Sequence, residues 1–201
     1  MKAAGVLVVL LSGSAFAEGS WLAARGRLLK ETRVESWVGT RSFGLGMVKP
    51  DAPGAAAGMV GEATWAVFDR VLELRGARQW QLTKARAVTL STSLGATVFL
   101  VPEGQTDVGV GPHGTLTASF GGEVFSFDLS LQTGVEIFAR GPNRLPQRVL
   151  AGFNLKLGDF TVALMGRAGA DVMPGHNFVV RGEAMLAVGW LGLDALSSPR
   201  Q

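Results

Sequence analysis

Residues 109–114 read GVGPHG, which puts Gly109, Gly111 and Gly114 at the G-x-G-x-x-G spacing that cradles a dinucleotide pyrophosphate. That chemistry needs a buried strand before the glycines, a helix after them and an acidic residue about 20 positions on. After Gly114 the chain runs TLTASFGGEVFSFDLSLQTGVEIFAR, whose apolar residues alternate and leave no room for the helix. The glycines are therefore expected to thin a strand wall. Pro112 should mark a break in pairing, because proline cannot donate to a ladder. His113 shares the polar frame of this strand with Thr115 and Thr117, which makes it a candidate polar site inside the fold.

The chain has only two histidines, and the second, His176, lies in the loop MPGHN. A hydrolytic triad needs histidine within hydrogen-bond reach of a nucleophile and an orienting carboxylate. No H-x-S pattern occurs, and the two histidines fall on non-adjacent segments. Two separated histidines without clustered carboxylates also fall short of a three- or four-ligand metal site. The expectation is a chain without catalysis, metal or cofactor.

A second constellation is ionic. Asp128, Glu136, Arg167, Arg181 and Glu183 occupy the polar frames of successive alternating segments. Folding the last hairpin about Pro174-Gly175 brings Arg167 level with Gly182, beside Arg181 and Glu183. Charges enclosed in a narrow space must be paired or hydrated. The group reads either as a salt-bridge network that fills an interior or as a gated path for ions.

The elements that would position these residues come from a period of two. In 123–140 the odd positions run Phe125, Phe127, Leu129, Leu131, Thr133, Val135, Ile137 against Ser126, Asp128, Ser130, Gln132 and Glu136. This marks a strand with one apolar and one polar face. The same alternation predicts strands over 33–48, 80–101, 108–120, 147–157, 160–171 and 178–192, joined in an antiparallel meander. Gly121-Gly122 and Gly158-Asp159 supply hairpin turns. The run 61–75, GEATWAVFDRVLELR, reads either as a further strand or as a short helix. Trp65, Val67, Phe68, Val71, Leu72 and Leu74 share one side of a helical wheel. If it is a helix, 20–30 supplies the extra strand, for about eight in all.

Composition sets the surroundings. Residues 1–17 carry Lys2, the apolar run AAGVLVVLL and a small-residue ending with Ala15 and Ala17, the pattern of a cleaved signal peptide. Residues 18–32 are then an N-terminal segment, 33–193 the barrel and 194–201 a tail. There is no cysteine, so no disulfide framework or thiolate site. A net charge of +3 is too small to suggest nucleic acid. Mean hydropathy is +0.28 and only 17% of residues are charged, yet nothing else reaches the roughly 18 apolar residues of a spanning helix.

An exported, apolar chain of alternating strands points to an all-β, antiparallel up-and-down transmembrane barrel. Its non-apolar faces hold Ser, Thr, Gly and Gln, which suit a narrow lumen better than a solvated surface. Minimal turns at Gly121-Gly122 and Gly158-Asp159 contrast with longer loops at 102–107, 141–147 and 172–177. Aromatics collect near the short turns (Trp80, Phe120, Phe125, Phe160, Trp190) and near the longer loops (Phe43, Phe99, Phe178), like two interfacial girdles. This pattern resembles the small eight-stranded bacterial outer-membrane barrels related to OmpA and OmpX, over roughly residues 33–193. The resemblance implies a monomer in the outer membrane, surrounded by its lipid and meeting other envelope proteins, with a structural or narrow-pore role. The competing expectation is a soluble periplasmic, lipocalin-like barrel that turns its apolar face inward around a lipid-like ligand.

Overall fold

The computed structural model describes residues 21–22, 31–84, 87–102, 107–173 and 178–192. The proposed signal peptide, most of 18–30, His176 and the tail 194–201 lie outside the described residues.

The elements are β1 (Arg33–Gly39), β2 (Ser42–Pro50), β3 (Ala57–Ala66), β4 (Val71–Lys84), β5 (Val88–Val101), β6 (Asp107–Gly121), β7 (Phe125–Gly134), β8 (Ile137–Phe138), β9 (Leu145–Leu157), β10 (Phe160–Val172) and β11 (Val179–Leu191). Every ladder is antiparallel, and β11 pairs with β1, so the sheet closes on itself. Around the ring the order is β1-β2-β3-β4-β5-β6-β7-β9-β10-β11, ten strands with the short β8 added beside β6. Closure removes the unpaired edge that an open sheet would expose.

The expected count of about eight is corrected to ten, plus the short β8. The difference lies in hairpins whose turns carry no glycine or proline signal. The run 33–48 is two strands, bent at Thr40–Arg41, and 80–101 spans the end of β4 and all of β5. The run 61–75 contains no helix. It forms the end of β3, a turn over 67–70 with Arg70 at φ 50°, and the start of β4. The helical wheel misled because Trp65, Leu72 and Leu74 share the outer face of a hairpin, while Val67 and Phe68 sit on its exposed turn. Loop lengths do not alternate strictly either. The turn at 40–41 lies at the same end as the C-terminus of β5, where the longer connection to β6 begins, and the connection 51–56 lies at the same end as Gly158-Asp159.

The single strand expected over 123–140 is interrupted, and Pro112 explains why. Its carbonyl accepts a hydrogen bond from the Val135 amide at 3.0 Å, so its nitrogen faces the same neighbour and has no proton to offer. The β6–β7 ladder stops at His113↔Gly134, the chain steps out, and β8 resumes against Gly109 and Val110. On its other side β6 pairs with β5 unbroken from Asp107 to Phe120, so the expected loss of pairing before Pro112 is limited to one side.

Alternation assigns the faces. Leu90, Leu94, Val98, Leu129, Leu131, Val149, Phe153, Leu164, Leu186 and Val188 are exposed on the exterior, whereas their polar neighbours are buried in the lumen. Five of the predicted girdle aromatics, Phe43, Phe120, Phe125, Phe160 and Trp190, are well exposed, and Phe178 is at 66%. Trp80 is half-buried on the outer face, and Phe99 alone of the eight faces inward. It is buried in the lumen and packs on Phe138, with ring centroids 5.5 Å apart.

Candidate functional site: the barrel lumen

A barrel of about eight strands has an interior just wide enough for its own side chains, and each added pair of strands widens it. Ten strands leave room, and long charged side chains with a piece of the N-terminal segment occupy it. The lumen has two halves. The half near the start of β1 and the end of β11 is rich in hydroxyls from Thr89, Ser91, Ser93, Thr115, Thr117, Ser119 and Ser130, all buried. Here Asp128 accepts a hydrogen bond from Asn154 Nδ2 at 2.5 Å, and Glu35 accepts one from Thr161 Oγ1 at 2.7 Å.

The opposite half is ionic. Arg167 pairs with Glu183, whose Oε1 also accepts from Ser42 Oγ at 2.7 Å and from the Arg41 amide at 3.1 Å. Arg181 Nη1 donates to Asp69 Oδ2 at 2.5 Å, and Arg41 Nη2 lies 3.8 Å from the same oxygen. Burial pushes the Asp69 carboxyl up from its usual range, against the opposing pull of Arg181 and Arg41. Arg148 pairs with Asp171, and Arg75 with Glu73, with Glu62 3.9 Å away. Cation and carboxylate thus meet along one strand or between neighbouring strands of the wall, and of these pairs only those of Arg41 and Arg181 reach a more distant element, at Asp69.

All five predicted charges, Asp128, Glu136, Arg167, Arg181 and Glu183, face the lumen. They are not one cluster: Arg167 meets Glu183, Arg181 meets Asp69, and Asp128 lies in the hydroxyl half with Asn154. The register of the last hairpin is one residue away from that expected, since Arg167 stands opposite Glu183 rather than Gly182. Alternation alone did not single out Arg33, Glu35, Glu62, Asp69, Glu73, Arg75, Arg144, Arg148 and Asp171. Arg33-x-Glu35 and Glu73-x-Arg75 carry the signal that could have found them, paired charges two apart on one strand face.

His113 also faces the lumen, with Nδ1 3.1 Å from Thr97 Oγ1, and Arg75 Nε donates to that same hydroxyl at 3.2 Å. Arg75, Thr97, His113, Gln132, Glu136 and Arg148 surround a cavity of about 40 Å³. That holds a few waters and no organic substrate. Among the described residues, no group of three or more His, Cys, Asp or Glu gathers as a metal site would require.

The glycines of GVGPHG have steric rather than phosphate-binding roles. A Cβ on Gly109 would come within 2.8 Å of the Phe138 ring, and one on Gly111 would run into the Val135 carbonyl. Gly114 faces outward beside Leu94. Both inward positions must lack a side chain for the β7–β8 step to lie against β6. Gly111→Ala is expected to lose roughly 1–3 kcal/mol of stability, the usual cost of overpacking. Gly114→Ala, with Leu94 Cδ2 at 3.3 Å as its nearest neighbour, should cost less. Denaturant titration of the two refolded variants checks the order.

No protein-family model and no curated protein matches the chain.

Proposed function

We propose that this chain is a non-catalytic β-barrel of the bacterial outer membrane, closed at rest, that serves as a structural or scaffolding element of the envelope. The observation that carries the reading is the sidedness of the closed ring. Large apolar side chains cover its exterior on every long strand, and the buried interior is charged and hydroxylated. Soluble monomers seldom leave contiguous apolar patches beyond a few hundred Å². Hydrocarbon, by contrast, tolerates this surface and demands the closed hydrogen-bonding of a barrel. A lipocalin-like carrier needs an open apolar lumen, whereas here the inward apolar residues around Trp37 and Met165 are already covered by Trp21 and Leu22, and most of the remaining buried side chains are charged or hydroxylated. Paired charges along the wall and the buried Trp21 and Leu22 fill the interior, which favours a closed barrel over an open pore.

Two properties of the full chain test the proposal. Expressed with residues 1–17 in place, it should fractionate with detergent-extracted outer membrane. It should also migrate differently on gels with and without boiling, because a closed barrel resists detergent until heated. Recovery in the soluble periplasmic fraction without heat-dependent migration would overturn the reading in favour of the carrier.

A further inference from the structure

Trp21 and Leu22 lie inside the barrel, at 0% and 1% exposure, although they precede β1 and contribute nothing to the wall. They sit in an apolar cluster within a largely polar lumen, among Trp37, Val48, Val60, Leu150, Met165 and Met185. The wall is shaped to admit them. A Cβ on Gly46 would come within 2.6 Å of both the Gly61 carbonyl and Leu22 Cδ1, so the β2–β3 ladder and the seat both use the absence of a side chain there. Two contacts fix the segment. The Leu22 amide donates to Glu62, and the Arg167 guanidinium lies 4.3 Å from the centre of the Trp21 ring.

A lumen destined only to be filled could have used wall side chains throughout. This one instead presents an apolar receptor on inward positions that elsewhere carry Arg, Glu, Ser or Thr, and its occupant is tethered through residues 23–32 to β1. We infer that Trp21–Leu22 is an intrachain plug seated in a dedicated receptor site, and that withdrawing it opens the lumen to small ions. The inference rests on the membrane-barrel reading. The apolar nest holds the plug, Glu62 and Arg167 orient it, and the tether keeps it at high local concentration. The ion pairs of the other half line the path that remains, so the opened barrel would be narrow.

The chain has no cysteine, so Leu22→Cys introduces a single thiol. In the heat-modifiable, membrane-inserted form that thiol should be shielded from a bulky, membrane-impermeant maleimide and should label fully only after boiling. Trp21→Ala/Leu22→Ala should raise the open fraction in planar bilayers about tenfold or more over the natural chain, since most of the apolar burial holding the plug is gone. If the natural chain is heat-modifiable but the Leu22→Cys variant labels as fast before boiling as after it, the plug is overturned. It is equally overturned if the double-alanine variant folds and stays silent. Should that variant fail to fold, the labelling alone decides. If the natural chain itself is not heat-modifiable, the membrane reading fails, and this inference falls with it.

Discussion

Leu186→Arg is expected to prevent stable membrane assembly, whereas Leu186→Ala should be mild. Leu186 sits near the middle of β11, faces outward, and stands between Leu164 of β10 and Val38 of β1, both of which also face outward. It is already 47% exposed, so in a soluble barrel the arginine would meet water and change stability by no more than about 0.5 kcal/mol. At the midplane of a bilayer the same substitution costs about 2–4 kcal/mol. The measurement is reversible unfolding of the refolded variants in lipid, together with their yield in the membrane fraction. Arginine and alanine variants of equal stability would show that the exterior is not in hydrocarbon.

The second large effect is inside. Glu183→Leu leaves the Arg167 guanidinium buried without its carboxylate, in a pair whose side chains are only 4% and 2% exposed. Breaking such a pair by removing one partner costs about 3–5 kcal/mol, most of it the penalty of the stranded charge. Replacing both, as Glu183→Leu/Arg167→Met, removes the stranded charge while methionine keeps packing area near Trp21. The double variant should recover most of the loss and could equal the natural chain. Denaturant midpoints for the single and double variants check this. If both are equally unstable, the ion pair is not the cause, and the hydrogen bonds from Ser42 and the Arg41 amide to Glu183 become the better explanation.

The strand faces were legible in the sequence because a period of two reports sidedness directly. The outward frame of β5, β7, β9, β10 and β11 comes from alternation, and so does the inward placement of Asp128, Glu136, Arg167, Arg181, Glu183 and His113. What alternation cannot report is where a strand reverses. Gly121-Gly122 and Gly158-Asp159 announce their hairpins, with Gly121 at φ 109° and Gly158 at φ 62°. Thr40–Arg41 turns without either glycine or proline, so two strands read as one. At 67–70 the left-handed residue is Arg70, a type that gives no turn signal, and the hairpin passes for a helix. The partners of each charge were less legible still. Asp69 belongs to a turn whose position depends on the miscounted hairpin, and a one-residue change of register in the last hairpin redirects Arg167. Trp21 and Leu22 lie in no alternating run, so their place in the lumen left no periodic trace.

The seam between β1 and β11 bears on how the chain can assemble. It comprises seven residue pairs, from Arg33↔Leu191 to Gly39↔Met185, whereas β9 and β10 share thirteen. Every other ladder joins segments that are near neighbours in sequence and can zip as they emerge. This one joins the first strand of the wall to the last, so its loop-closure entropy is met only at the end. Until β11 is present, the chain is an open ribbon with two bare margins, each able to recruit a second copy. A chaperone that covers those margins, or a surface that orders the hairpins side by side, would therefore act on the order of assembly rather than on the finished barrel. Deletion of β11 should yield an aggregate rather than a smaller barrel.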